Sequence, residues 1–392
     1  ITIYKFFLKN ISMKKKLYTS IGLMSGTSMD GVDLSVISSD GYDEFFNHFD
    51  AYFEFGKTLK DKLVYIRDLI SSEKDLLNNL TLIAEIERNL TLFHGDIINQ
   101  SLKNINLPID VIGFHGHTIF HKPQKKITRQ LGDGRLLSQI IKKKVIFDFR
   151  QEDIKNNGQG APLTPIFHYT LSKQIKNKFK IKFPLGFLNI GGIANITKIT
   201  NTSDEIQKSL FANDIGPGNC LIDQWIRNHS SKKYDKNGEI ANSGKVDEFI
   251  LNQAIENFKF KNYSQSIDIK DFDVSFARGL SLEDGCATIT NFTAYLIAEG
   301  LKYNNQREKI NFLLCGGGRK NHYLINNINN YLSDTSKINL DFIDNYNLDG
   351  DYIESQAFGY LAIRSLLRLP ISFSNTTGCD NFSIGGKLVE NF

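Results

Sequence analysis

Apolar positions in this chain form short alternating runs, separated by longer stretches in which they recur every three or four residues. That is the pattern of strands interleaved with helices. The runs Tyr18–Leu23 and Val32–Ile37 flank the polar turn of "IGLMSGTSMDGVDLSVI", and an aromatic segment near Phe45–Phe55 follows. Helical spacing is predicted over about residues 57–71 and 75–102, where Ile83, Ile86, Leu90 and Phe93 share a face. "IDVIGFHG" reads as a buried strand, "GRLLSQIIKKK" as a helix and "VIFDF" as a further strand.

The pattern then restarts. "LGFLNIGGIANITKI" is again strand, glycine turn and strand, with Phe211–Asp214 as a third strand. "GPGNCLIDQWIRNH" turns into a helix, and further helices are predicted over about 246–259 and 281–303. "INFLLCGGG" and "INLDFID" are the last strands, before the amphipathic helix "YIESQAFGYLAIRSLLRL". Each half runs hairpin, strand, helix, strand, helix, strand, helix, which predicts a duplicated α/β unit. Residues 17–150 form the expected first lobe, completed by part of 355–392. Residues 151–354 form the second, with a helical insertion at about 230–305. Hinges are expected near 150–165 and 345–355.

"SGTSMDG" spends more small polar residues than a hairpin turn needs. Gly26 and Gly31 let backbone approach a ligand, and consecutive N–H groups in such a turn can nest an anion. Ser25, Thr27 and Ser28 add hydroxyls, and Asp30 or Asp33 can orient Mg²⁺ through water. A long hairpin loop held by its own side chains is the alternative. "NIGGIANIT" occupies the equivalent place in the second half, and "CGGGRKN" lies between a strand and a helix, where α/β proteins bind ligands. None of the three is a G-x-x-x-x-G-K-[ST] loop.

Acids stand beside these turns. Asp214 ends a strand before Gly216-Pro217-Gly218, either as a general base or as a cap for the next helix. Glu354, in the first turn of the closing helix, is either catalytic or there to suit the helix dipole. Arg150 can grip a carboxylate or phosphate, or pair with Asp153. His115, His117 and His121 lie in "FHGHTIFH", with His115 and His117 expected on one side of a strand. Their spacing is weak for zinc, so substrate contact or packing is expected and no metal cluster.

Bulk properties narrow the class. The 392 residues are 41% hydrophobic with a net charge of +4, so no nucleic-acid footprint is expected. Cys220, Cys286, Cys315 and Cys379 are dispersed, which fits a reducing cytoplasm. No run reaches the roughly 18 apolar residues of a membrane span. Met13 before three lysines reads as the biological start, with residues 1–12 as an upstream extension.

Taken in order, "GLMSGTSMDGVD", "DFRQEDIKNNGQGAPLTP", "LNIGGIANIT", "DIGPGNCLIDQW", "CGGGRKN" and "ESQAFGYLA" resemble the anhydro-N-acetylmuramic acid kinases over roughly residues 18–388. The resemblance implies a two-lobed sugar kinase/Hsp70/actin-like fold, a duplicated ribonuclease H-like architecture with a central cleft. It implies ATP with Mg²⁺, opening of the 1,6-anhydro bridge and phosphorylation of O6, in peptidoglycan recycling. Gly26, Thr27, Ser28, Met29, Asp30, Gly31, Val32 and Asp33 match the ATP-phosphate segment; Gly191, Gly192, Gly316, Gly317 and Gly318 match the other nucleotide turns. Asp214 matches the general base and Glu354 a second acid. His115, His117, Arg150, Gln159 and Asn219 are the expected sugar contacts. A homodimer is implied as well.

Four positions depart from the family pattern: His117 for Gln, Asn157 for Gly, Asn213 for Phe and Gln265 for Lys. They bear on sugar specificity. A levoglucosan kinase or other sugar kinase, and a non-catalytic ATP-dependent binding protein of the actin/Hsp70 type, are the competing expectations.

Overall fold

The computed structural model describes residues 16–26, 29–202, 205–258, 267, 272–305 and 308–392. Its first half opens with β1 (Tyr18–Met24), β2 (Gly31–Ser39) and β3 (Phe45–Glu54), an antiparallel meander. Helices α1 (Lys57–Leu69) and α2 (Leu80–Leu102) follow, then β4 (Val111–Phe114). A hairpin of β5 (His117–Lys122) and β6 (Ile127–Leu131) leads to α3 (Gly134–Ile141) and β7 (Val145–Phe147). The sheet order is β7-β4-β1-β2-β3, with β4 parallel to β1 and to β7.

Helix α4 (Pro165–Phe179) crosses to the second half. There β8 (Leu185–Ile190), β9 (Ile193–Ile199) and β10 (Leu210–Pro217) repeat the meander, followed by α5 (Cys220–His229) and α6 (Leu282–Asn304). Then come β11 (Ile310–Cys315), α7 (His322–Leu332) and β12 (Ile338–Phe342). The order is β10-β9-β8-β11-β12, with β11 parallel to β8 and β12. Helix α8 (Ile353–Leu366) returns to the first sheet, where β13 (Lys387–Val389) pairs with β7. Counted within each half, both sheets run 3-2-1-4-5 with only the second strand reversed. This is the duplicated ribonuclease H-like fold that the sequence predicts.

Three apolar clusters hold it together. One packs α1, α2 and α3 on the outer face of the first sheet, through Ile21, Leu34, Ile86 and Leu137. A second packs α5, α6 and α7 on the second sheet, around Trp225, Ile289 and Leu324. The third lies between the sheets: Phe149, Phe167, Phe187, Leu313 and Phe358 come from both halves and from α4 and α8.

Helix α8 can approach the first sheet only over glycines. A Cβ on Gly22 would lie 1.9 Å from Ser355 O and 2.3 Å from Gly359 N. One on Gly113 would lie 2.2 Å from Phe358 O. Ser20 Oγ donates to Gly359 O at 2.9 Å across the same contact.

Two sequence expectations change. The helix predicted over 75–102 is broken at Asn79, between Glu73–Asn78 and α2. His115 and His117 do not share a strand face, because the chain turns between β4 and β5 at Gly116, whose φ is 74°. A side chain there would strike Leu131 O at 2.1 Å.

Gly22→Val is expected to lower unfolding free energy by about 3 kcal/mol or more, since the opposing atoms are backbone. Urea unfolding checks this with Gly26→Val as the control, because a Cβ on Gly26 meets nothing within 4 Å. Equal midpoints for the two variants would contradict the packing account.

Candidate active site

The acids converge where the two sheets meet. Asp214 lies inside β10, beside a bulge between Asp214 and Gly216. It caps no helix: Asn219 precedes α5, and its side chain makes no capping bond. Asp214 Oδ2 accepts the Ile267 N–H at 2.9 Å. Burial pushes the Asp214 carboxyl up to about 6, against the opposing pull of that N–H and of the Arg150 charge. Glu354 is carried in by the first turn of α8. It too is raised by burial, with Arg150 and an Asn189 Nδ2 hydrogen bond at 3.2 Å opposing.

Arg150 follows β7 and is held on neutral His115. Its Nε and Nη2 reach His115 Nε2 at 3.1 and 3.0 Å, and Nη1 donates to Gly160 O at 2.7 Å. His115 Nδ1 lies 2.9 Å from Gly116 O, so the proton on that nitrogen leaves Nε2 free to accept. Burial and the adjacent guanidinium keep the ring well below its ordinary proton affinity. Arg150 is therefore a cation whose field reaches Asp214, Glu354 and Asp153. Asp153 is not its hydrogen-bond partner. That buried carboxylate accepts from Gly160 N, Ser372 Oγ and Thr377 Oγ1 at 2.5–2.7 Å, pinning the Gly-Gln-Gly turn to the C-terminal segment.

The glycine turns stand at strand ends. Between β1 and β2, Met29 N donates to Gly26 O at 3.2 Å, and the Met29 side chain is buried in the first core. Val32 belongs to that core as well, so both contribute packing. Thr27 and Ser28 lie outside the described residues, as does Gln265. Gly31 presses against Phe53 O, where a Cβ would come within 2.3 Å. Asp30 is engaged by Lys60 and, at 3.6 Å, by Lys233 of the second half. Asp33 is pushed up to about 7 by burial and by Glu354, Asp351, Asp349 and Asp50.

In the second half, Gly191 O accepts Asn219 N at 2.8 Å and Gly192 O accepts Gly218 N at 2.9 Å, which binds this turn to the start of α5. Gly316 and Gly318 pack over Asn189 and Ile190, whereas a Cβ on Gly317 would meet open space.

Among the described residues no hydrogen bond joins His117 or Gln159 to Asp214 or Glu354; Gln159 N donates to Thr377 O at 2.7 Å. His117 Nδ1 lies 3.0 Å from Ser25 Oγ, and burial lowers the ring to about 4. His117 Nε2 and Gln159 Oε1 are buried without a hydrogen-bond partner among the described residues. Such an atom is costly to leave unpaired, by about 1–3 kcal/mol. Asn189 escaped the sequence reading of candidate site residues. Its signal was one polar residue inside the apolar run "LGFLNI", which forms a strand buried along its whole length.

Two carboxylates with raised proton affinity lie in the field of one half-buried arginine, beside three glycine turns. On this duplicated α/β fold, that arrangement suits acid–base chemistry beside a bound anion. The family model for anhydro-N-acetylmuramic acid kinase matches residues 18–390. The chain is 52% identical over 383 residues to the anhydro-N-acetylmuramic acid kinase of Pelagibacter ubique, covering 96% of this chain and 100% of that one. It is 37% identical to that of Brucella canis, covering 95% and 99%. The chain belongs to the anhydro-N-acetylmuramic acid kinase family. The activator of the 2-hydroxyisocaproyl-CoA dehydratase from Clostridium difficile with bound ADPNP aligns at 11% identity and TM-score 0.39, over 88% of this chain and 94% of that one.

The raised Asp214 has a consequence for stability. Its folded value of about 6 exceeds the ordinary 3.8, so between those values the folded chain holds a proton that the unfolded chain has released. The resulting destabilisation is absent below pH 4 and complete above about pH 6. Asp214→Asn should therefore unfold at higher denaturant concentration at pH 7.5, by on the order of 2 kcal/mol, and match the wild type near pH 4. A variant less stable than wild type at pH 7.5 would contradict this.

Proposed function

We propose that this chain is an ATP-dependent kinase of 1,6-anhydro-N-acetylmuramic acid. It opens the 1,6-anhydro bridge with water and phosphorylates O6, giving N-acetylmuramic acid 6-phosphate and ADP in peptidoglycan recycling. The observation that carries the reading is Asp214, a carboxylate raised to about 6 by burial in a chain that matches the family from residue 18 to residue 390. A base of that strength is ionised at neutral pH and still takes a proton readily.

In the proposed reaction Asp214 removes a proton from water as the water oxygen bonds to C1. The C1–O6 bond breaks, and O6 takes the γ-phosphoryl group as ADP departs. Phosphoryl transfer calls for positioning and charge neutralisation more than covalent help from the protein. Glu354 serves as a second acid beside the sugar, and Arg150 balances the charge of both carboxylates. His115, His117, Gln159 and Asn219 are the proposed sugar contacts; the unpaired His117 Nε2 and Gln159 Oε1 support that assignment. Gly26–Asp33, Gly191–Gly192 and Gly316–Gly318 are proposed to receive the nucleotide.

Mg²⁺ belongs to this proposal. Among the described residues no group of three or more His, Cys, Asp or Glu is arranged to hold a metal by itself. Magnesium bound through phosphates and water needs only one or two carboxylates. Asp33 fits that task, since Asp30 is already engaged by Lys60 and Lys233. The ion would neutralise charge on the phosphates.

The lobes are proposed as 17–150, completed by part of 355–392, and 151–354. No helix among the described residues is long and apolar enough to cross a membrane. A cytoplasmic homodimer acting on a small sugar is the proposed setting. The non-catalytic and levoglucosan alternatives are not favoured, because the curated relatives matched over almost their full length carry the anhydro-N-acetylmuramic acid kinase name.

The test is ADP release with ATP, Mg²⁺ and the anhydrosugar. Turnover is expected only when the sugar is present, and Asp214→Asn should reduce kcat by about 10²–10⁴-fold. Sugar-independent ADP release, or near-normal turnover in the variant, would contradict the proposal.

A further inference from the structure

Arg319 stands in "CGGGRKN" directly after the third glycine turn, and its side chain is 4% exposed. All five of its N–H donors are used. Nε and Nη2 grip Asp344 at 2.8 and 2.9 Å, and Nη2 also reaches Asp349 at 3.3 Å. Nη1 donates to Asp351 at 2.5 Å and to Gly316 O at 3.1 Å. The acceptors lie on two segments: the glycine turn itself, and the 344–351 loop that runs directly into α8. Gly316 N donates to Gly350 O at 3.0 Å, a second stitch between them. Gly350 has no room for a side chain, because a Cβ would lie 2.5 Å from Arg319 Nε.

Glu354 begins three residues beyond Asp351, and its carboxylate is held from the other side by Asn189. Asn189 also lies under the glycine turn, where a Cβ on Gly316 would come 2.3 Å from Asn189 Oδ1. The turn and the loop are thus joined by hydrogen bonds, and the acid is hydrogen-bonded to Asn189, which packs under the turn.

Stability alone is a weak reason for such a network. Three aspartates surround one guanidinium, with Lys320 pairing with Asp351 at the edge. Apolar packing often stabilises as well as a buried ion pair does. What a planar five-donor fork adds is fixed geometry between two segments, which an ammonium cannot reproduce.

We infer that Arg319 is a positioning residue that locks the Gly316–Gly318 turn to the loop presenting Glu354, so that seating the nucleotide and placing the acid are coupled. The inference rests on the kinase reading above for the role of Glu354.

The test compares wild type, Arg319→Lys, Glu354→Gln and the double variant. Binding of a non-hydrolysed ATP analogue is followed by calorimetry, and kcat by ADP release. Arg319→Lys should weaken the analogue by about tenfold and lower kcat. The double variant should lose no more kcat than Glu354→Gln alone, within about twofold, because Arg319 acts through that acid. Wild-type analogue affinity in folded Arg319→Lys, or multiplicative kcat losses in the double variant, would overturn the inference. Should Arg319→Lys not fold, Asp344→Asn takes its place, with weaker binding expected and unchanged binding decisive against. Absence of sugar-dependent turnover in wild type would count against the kinase reading alone, and the calorimetric comparison would still decide the role of Arg319.

Discussion

The arrangement depends on how closely α8 lies on the first sheet. Gly22 and Gly113 on the sheet leave no room for a side chain against the backbone of the helix, and a Cβ on Gly359 of the helix would lie 2.9 Å from Ser20 Oγ. The helix starts from the second half and ends packed on the first. Its N-terminal turn therefore falls at the junction, and Glu354 is in that turn. A larger residue at Gly22 would lift the helix and move the acid with it. The middle apolar cluster, with Phe358 and Tyr360 from α8 and Phe167 from α4, keeps both sheets against the same helix. Packing of the core and placement of the chemistry are thus one constraint.

Electrostatics at the junction follow from that placement. Asp214, Glu354 and Asp33 are each raised chiefly by burial, and Asp33 also by its acidic neighbours. Arg150 opposes this for Asp214 and Glu354 without a direct ion pair to either among the described residues; three of its five N–H donors are directed to His115 and Gly160. Holding the cation back leaves both carboxylates able to accept protons. A direct salt bridge would lower their proton affinity and remove the basicity that a general base needs. Asp223, raised to about 7 chiefly by burial and further by Asp30 and Asp235, extends the same acidic environment into α5.

The hairpins and parallel strands were legible because β1, β4, β8 and β11 are apolar runs ending in glycine or polar turns, a local signal. Helix α4 was not legible: Pro165 to Ser172 is buried throughout, so the segment has no polar face and no helical stripe. The three-residue β13 carries too little pattern to detect, and the β5–β6 hairpin is only partly buried and rich in charge. Asp214, Glu354 and Arg150 were legible as chemistry because acids and a lone arginine stood beside glycine turns. Asn189 and Arg319 were not, since their partners lie 165 residues away and on a separate loop, and only folding brings them together. The two histidines misled because a single left-handed glycine turns the chain between them.

The central claim is that one enzyme joins hydrolysis of the anhydro bridge to phosphorylation of the oxygen released from it. The most direct measurement runs the reaction with ATP, Mg²⁺ and anhydro-N-acetylmuramic acid in ¹⁸O-labelled water, with finished product in the same water as the control for anomeric exchange. The account predicts label at C1 after brief incubation and none in the bridge between O6 and phosphorus. Label in that bridge, or a phosphorylated product with the anhydro ring intact, would contradict it.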